Sequence, residues 1–153
     1  MTPRRIAIVV AAVLAALAVG VWLYQSDEER VRDAADAITR GANLGPLELT
    51  RALEEHAVEN VTISVSDLPE PLQGRGAIVA AASRTAAAGR KLSFRMQRVE
   101  VSVEGSHARL NAEFVATLQL GLRGLSQSRS GVALFQKIDG RFRLVSAEVG
   151  SER

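Results

Sequence analysis

The feature that most constrains this chain is an uninterrupted apolar run, Ile6–Tyr24, which contains no charged side chain. A helix rises about 1.5 Å per residue, so this run would extend roughly 28 Å, close to the thickness of the hydrocarbon core of a bilayer. In lipid, the backbone N–H and C=O groups must find their partners within the segment, as they do in a helix. The run therefore predicts a transmembrane anchor helix over residues 6–24, preceded by a short cytoplasmic tail of residues 1–5.

The charges on either side of the apolar run indicate its orientation. Arg4 and Arg5 precede the run, and the acidic segment Asp27–Glu29 follows it. The positive-inside rule then places the following domain, residues 26–153, outside the cytoplasm. A cleavable signal peptide is the alternative, because Ala16–Ala18 matches its cleavage pattern, but the apolar run continues well beyond that point. We predict an uncleaved single-pass anchor in a bacterial inner membrane, with the domain on the periplasmic side.

Composition excludes several chemistries for this domain. The chain has no cysteine and two distant histidines, His56 and His107, which argues against thiolate catalysis, Cys-ligated zinc and a histidine metal centre. The pI of about 9.7 suggests nucleic-acid binding. However, residues 26–70 carry 11 acidic and 4 basic side chains, and residues 71–153 carry 6 acidic and 13 basic ones. Opposed halves of a neutral domain favour internal pairing or a protein partner. We expect no cofactor, no metal and no nucleic-acid partner.

Helix signals recur in the first half of the domain. Ser26 followed by Glu29 is a capping box, which predicts a helix from Asp27. Pro46 is typical of the first position of a second helix. The alanine-rich segment Gly76–Ala88 predicts a third helix, with side chains small enough to pack closely on a sheet.

Strand signals surround the third helix and follow it. Val61–Val65 alternates apolar and hydroxyl side chains, which predicts a half-buried strand. From Arg90 onward apolar side chains again occupy every second position. Near Gln97–Arg98 the apolar positions shift by one residue, which predicts a β-bulge. The Asp139–Gly140 pair predicts a tight hairpin turn. The predicted order, α-α-β-α-β-β-β-β, gives an α+β fold in which a curved antiparallel sheet packs on three helices.

With this order of elements, residues 26–149 resemble the nuclear-transport-factor-2-like (NTF2-like, SnoaL-like) superfamily. The likeness rests on the helical pair before the first strand, on Leu72–Gly76 leading into the third helix, and on the ending Phe135–Leu144 with its Asp-Gly turn. The resemblance implies an NTF2-like cone. Such motifs are informative about the fold and nearly silent about function.

The resemblance also limits the chemistry that can be carried over. Ketosteroid isomerase, an enzyme of this family, uses a Tyr and a protonated Asp as oxyanion donors. The only Tyr of this chain is Tyr24, inside the predicted anchor. In its layout the chain is similar to inner-membrane scaffold proteins of type IV secretion systems, which have a cytoplasmic tail, one helix and a periplasmic domain of this fold.

Three sets of residues are candidates for function. His56 is a weak candidate for a general base, because no partner for it can be identified from the sequence. The apolar side of the strands would line the cone and accept a small apolar ligand through Phe94, Met96, Leu110, Phe114 and Leu118. The mixed polar side of the long strand would contact a second copy or a protein partner through Arg109, Asn111, Glu113, Thr117 and Gln119.

These observations predict a membrane-anchored, non-enzymatic binding or scaffolding domain. The alternative is a pocket enzyme, or a carrier of a small apolar ligand within the cone. The two classes differ in whether the cone encloses a cavity with convergent polar groups.

Overall fold

The computed structural model describes residues 3–23 and 26–150, and within the first helix it describes the side chains of residues 5 and 7–16. The described residues contain four helices and six strands. In chain order they are α1 (Pro3–Leu23), α2 (Asp27–Leu44), α3 (Pro46–His56), β1 (Ala57–Val65), β2 (Leu72–Gln73), α4 (Arg75–Ala87), β3 (Arg90–Glu104), β4 (His107–Leu120), β5 (Arg123–Ile138) and β6 (Arg141–Val149).

The predicted anchor overlaps α1 almost completely. The backbone is helical from Pro3 to Leu23, whereas Tyr24 and the side chains of residues 17–23 lie outside the described residues. Across the part of the chain that the structure describes, none of the helices combines the length and apolarity needed to cross a membrane. The transmembrane helix is therefore not supported by the structure and stays a prediction from the sequence.

The predicted helix starts of the domain are confirmed. Ser26 Oγ accepts a hydrogen bond from the backbone N–H of Glu29 at 3.2 Å, which satisfies one of the free donors of the first turn of α2. Gly45 adopts a φ of 135°, a value that favours glycine, and Pro46 follows it as the first residue of α3. The corner between the two helices is therefore encoded locally.

Gly41 lies at the contact between α2 and α3. It lies inside α2 rather than at its end, and it is buried. A Cβ at this position would come within 2.9 Å of the Cβ of Ala52 in α3. Glycine here allows α2 and α3 to approach closely.

The six strands form one sheet in the order β2-β1-β6-β5-β4-β3. The prediction of a purely antiparallel sheet is wrong at one pairing, because β1 runs parallel to β6. The short strand β2, which leads into α4, pairs with β1 at the edge of the sheet. Residues 124–131, most of which carry polar side chains, are paired with β4 throughout. Pairing with a long neighbour satisfies their backbone, so polar side chains do not prevent the strand.

The predicted bulge and hairpin are both confirmed. The register of β3 on β4 shifts between Gln97 and Glu100, and Arg98 inside the bulge has a φ of 46°. At the β5–β6 turn, Asp139 and Gly140 have φ values of 52° and 77°, the positive values that a type I′ turn requires.

The core lies between one face of the sheet, here called the helix face, and the helices α2, α3 and α4. Along β4 the buried side chains are Ala108, Leu110 and Ala112, which confirms the predicted register of this strand. Leu53, Val31 and Val61 are fully buried around them. The opposite face, here called the outer face, carries the polar side chains that alternate with these residues.

An unpredicted clamp ties α2 to the edge strand β3. Asn43 Nδ2 donates a hydrogen bond to the backbone oxygen of Phe94 at 2.8 Å, and the Phe94 N–H donates to Asn43 Oδ1 at 2.7 Å. The side-chain amide thus takes the place of a neighbouring strand and blocks part of an exposed edge.

Candidate functional site

An open groove crosses the outer face of the sheet. Its volume is about 720 Å³, and strands β1, β3, β4, β5 and β6 all contribute to its lining. Two of the predicted interface residues, Asn111 and Glu113, belong to this lining. Other polar lining residues are Ser64, Ser66, Arg98, Glu100, Ser130 and Glu148.

Strand register arranges part of this lining in a row. Cross-strand pairings place Glu100, Asn111, Val132, Glu148 and Ser64 next to one another on five consecutive strands. The row therefore presents an apolar centre between two carboxylates, with an amide and a hydroxyl as further hydrogen-bonding groups. Mixed character of this kind is typical of protein interfaces.

The bulge of β3 adds a positive charge to the groove. Arg98 Nη1 lies 3.6 Å from Glu113 Oε2, in the next row of the same face. Their side chains are 82% and 54% exposed, so this ion pair contributes little to the stability of the fold. A partner can therefore bind either charge and break this ion pair with little loss of folding stability.

The other predicted interface residues share the outer face but lie outside the groove lining. Arg109 Nε donates to Asn111 Oδ1 at 3.3 Å, which connects it to the groove edge. Thr117 Oγ1 lies 3.0 Å from Ser126 Oγ on β5. Gln119 is exposed near the far end of β4. The structure thus places the five residues along one face, with two of them at a concave centre.

The predicted cone lining divides into two parts. Leu110 is 3% exposed and belongs to the core beneath the helices. Phe94, Met96, Phe114 and Leu118 are half-buried on the helix face. The rings of Phe94 and Phe114 meet edge to face, with centroids 6.2 Å apart and an interplanar angle of 67°. These four side chains form an apolar surface that the helices cover only in part.

A polar group borders this apolar surface. Arg129 pairs with Phe114 across β4 and β5, and its side chain is only 13% exposed. It donates hydrogen bonds to the Asp67 carboxylate and, at 2.9 Å, to Gln127 Oε1. The hydrogen bond from Arg129 holds the pKa of Asp67 below its ordinary value. Sequence reasoning missed this pair, because Asp67 and Arg129 lie 62 positions apart and no local pattern links them.

His56 lies at the end of α3 and is not part of the groove lining. Its Nε2 is 3.7 Å from Glu55 Oε2, beyond hydrogen-bonding distance, and its side chain is 25% exposed. No group of three His, Asp or Glu side chains suited to a metal ion occurs among residues 3–23 and 26–150.

Comparison with known proteins identifies the domain. Residues 50–149 match the SnoaL-like domain family. No curated protein gives a significant match. An NTF2-like protein with a cystatin-like fold from Novosphingobium aromaticivorans shares 22% identity and a TM-score of 0.69, over 92% of this chain and 86% of that chain.

Two further solved structures are similar. A proposed dehydratase of the NTF2-like family from Streptomyces avermitilis shares 20% identity and a TM-score of 0.69, over 83% of this chain and 96% of that chain. A proposed calcium/calmodulin-dependent protein kinase II association domain from Xanthomonas campestris shares 11% identity and a TM-score of 0.67, over 83% and 89%. At these identities the similarity shows the NTF2-like fold, with its curved, open sheet, and nothing finer.

Proposed function

The chain belongs to the SnoaL-like domain family, and we propose that it is a binding or scaffolding domain that pairs through the outer face of its sheet. The proposal rests on the surfaces of the domain because this fold hosts unrelated functions. The observation that carries the proposal is the open groove across five strands. Its centre is apolar at Val132, and its rim carries Glu100, Glu148 and the Arg98–Glu113 pair. The partner is a second copy of the chain or a protein with a complementary face.

The exposure of the groove favours binding over catalysis. Catalytic acids and bases are usually desolvated and closely coupled, because this adjusts their pKa values to the reaction. Arg98 and Glu113 are instead largely exposed, at a separation of 3.6 Å. Charges in this setting set the register of a partner more than its affinity.

The proposal includes the predicted anchor and the periplasmic position of the domain. Its support is the uncharged run of residues 6–24, the arginines before it, and the helical backbone of α1. Anchoring would raise the effective concentration of the domain at the membrane. A contact too weak to persist in solution would then operate there.

One similar structure is described as an association domain, which supports pairing through this fold. The proposal places this pairing on the outer face because polar and apolar side chains alternate along its open groove.

A cysteine placed on the outer face tests the proposal. The chain has no cysteine, so a crosslink formed by full-length Thr117→Cys in oxidised membranes is attributable to that position. We expect a covalent dimer, or an adduct with a partner, from Thr117→Cys and little crosslinking from Ser83→Cys on the exposed side of α4. Equal or stronger crosslinking at Ser83 would show that the outer face is not the interface.

A second candidate function is favoured by the half-buried aromatic pair Phe94 and Phe114. Together with Met96 and Leu118, these side chains would suit a small apolar ligand. The proposed dehydratase among the similar structures is consistent with a pocket function. Binding of an apolar dye, followed by its fluorescence, should weaken about tenfold in Phe94→Ala, because much of a ring contact is lost. It should stay unchanged in Val115→Ala, on the outer face.

A further inference from the structure

The β4–β5 turn presents a group of exposed leucines, here called the leucine tip: Leu120, Leu122 and Leu125. Leu122 is fully exposed and Leu125 is 62% exposed. Large apolar side chains grouped on a protein surface mark an interaction site more often than single ones do. The leucine tip lies apart from the outer-face groove.

Two more exposed leucines, Leu44 and Leu47, lie at the corner between α2 and α3. The preceding residue Asn43 is hydrogen-bonded to the backbone of Phe94. Phe94 is four residues from the start of β3 at Arg90, which pairs with Leu120. The corner therefore lies beside β3, four residues from the strand end that reaches the leucine tip.

Basic side chains are interleaved with the tip leucines. Arg90 and Arg123 pair with Leu120 from opposite sides, so the three side chains form one row across β3, β4 and β5. Lys91 follows on β3. Residues 71–99 and 114–138, which contain these strand ends, include no Asp or Glu. The tip is thus apolar and positively charged together.

We propose that the leucine tip docks on the surface of an anionic lipid bilayer. Leucines that enter the boundary between headgroups and acyl chains gain apolar burial, and neighbouring Arg and Lys side chains gain from anionic headgroups. Residues 118–125 contain no aromatic side chain for stacking on bases, so the leucines would have no role in nucleic-acid binding. The alternation of basic side chains and leucines therefore favours an anionic lipid surface as the partner of the tip.

The tip lies far from the start of the domain. Lys137 Nζ is 3.6 Å from Asp27 Oδ1, which places the first turn of α2 near the β5–β6 turn. Strand β4 has 14 residues, and at about 3.3 Å each it extends roughly 45 Å from that end towards the tip. Docking of the tip is therefore a contact separate from the proposed anchor.

The test reports on the tip itself in the full-length chain. Because the chain has no cysteine, Leu122→Cys can be labelled with an environment-sensitive fluorophore at one position. Labelled protein is mixed with vesicles of phosphatidylcholine alone, or with added phosphatidylglycerol, that contain spin-labelled lipid as a quencher. We expect a blue shift and quenching at Leu122 that appear only when phosphatidylglycerol is present. The Ser106→Cys label, in the β3–β4 turn at the opposite end of β4, should give the same signal in both kinds of vesicle.

A charge variant provides the matched control. Each cation near an anionic surface contributes about 1 kcal/mol, so replacing Arg90, Lys91 and Arg123 by Gln should weaken tip docking roughly 100-fold. A control removes the same charge at solvent-accessible arginines away from the tip and should leave docking unchanged: Arg30→Gln, Arg32→Gln and Arg141→Gln.

Three results would overturn the proposal. The first is an unquenched, water-like emission from the Leu122 label in phosphatidylglycerol vesicles. The second is an equal phosphatidylglycerol-dependent increase of quenching at Ser106. The third is shielding of the Leu122 label that grows with protein concentration and resists the lipid quencher, which would show that another protein chain covers the tip.

Discussion

The two halves of strand β4 follow the same apolar–polar alternation but are buried to different degrees. In the proximal half, residues 107–112, Ala108, Leu110 and Ala112 are buried beneath the helices. In the distal half, residues 113–120, Phe114 and Leu118 are half-buried and Leu120 is exposed. An alternating pattern thus determines which side chains share a face, whereas burial depends on whether another element covers that face.

The end of α2 meets the sheet within the distal half. Asn43, one residue before the helix ends, binds the backbone of Phe94, whose partner on β4 is Ala116. Beyond this level β3, β4 and β5 continue as a three-stranded ribbon to the leucine tip. The partly covered distal half holds the second candidate site and the proposed lipid contact, while the covered proximal half provides stability.

The largest expected effect comes from equal truncations in the two halves. Leu110→Ala should lower the free energy of unfolding by about 2–5 kcal/mol, because it leaves a cavity in the core. Leu118→Ala should cost about 1 kcal/mol, because its side chain is only half-buried. Urea unfolding of both variants measures the difference. Equal losses would show that the helices do not distinguish the two halves.

An intermediate loss of stability is expected at the clamp between Asn43 of α2 and Phe94 of β3. Asn43→Ala removes two hydrogen bonds to Phe94 and should lower the free energy of unfolding by about 1–3 kcal/mol. Hydrogen exchange of the Phe94 amide should become faster, since its acceptor is lost. Leu44→Ala, at the exposed neighbouring position, is the control and should change neither quantity. Slow exchange at Phe94 in Asn43→Ala would contradict the clamp.

The smallest effect is expected at the Asp67–Arg129 pair in the distal half. The folded state lowers the pKa of Asp67, so the pair stabilises the fold above the pKa of an unfolded Asp, about 4, and this contribution is lost as the pH falls through the lowered folded value. Wild type should therefore be more stable than Asp67→Asn at pH 7, and the difference should disappear in acid. Urea midpoints from pH 7 to pH 2 measure it. A difference independent of pH would exclude the linkage.

Local signals in the sequence were sufficient for much of the fold. The Ser26 capping box, Pro46 at the start of α3 and the Asp139–Gly140 turn each depend on residues within four positions, so neighbouring side chains specify them directly. The bulge at Arg98 was equally visible as a change of parity along a single strand.

Long-range contacts were not predictable in the same way. The parallel pairing of β1 with β6 joins segments about 80 residues apart, as between Ile63 and Ala147, and no local pattern encodes which strand a strand will pair with. The candidate sites show the same limit. The sequence placed Leu110 and Phe114 on the same apolar face. Leu110 is buried and Phe114 only half-buried because the helices cover the first position and not all of the second.

By itself, the sequence determined the alternation of faces, the helix starts, the tight turns, and the apolar run at residues 6–24. Only the tertiary structure decided which faces are covered, that Asn43 replaces a strand at the edge of β3, and that Asp67 meets Arg129 beside Phe114. The physical reason is the distance along the chain over which each interaction acts. Backbone dihedrals and capping hydrogen bonds act between near neighbours, whereas burial and pairing between distant residues arise only when the whole sheet closes on its helices.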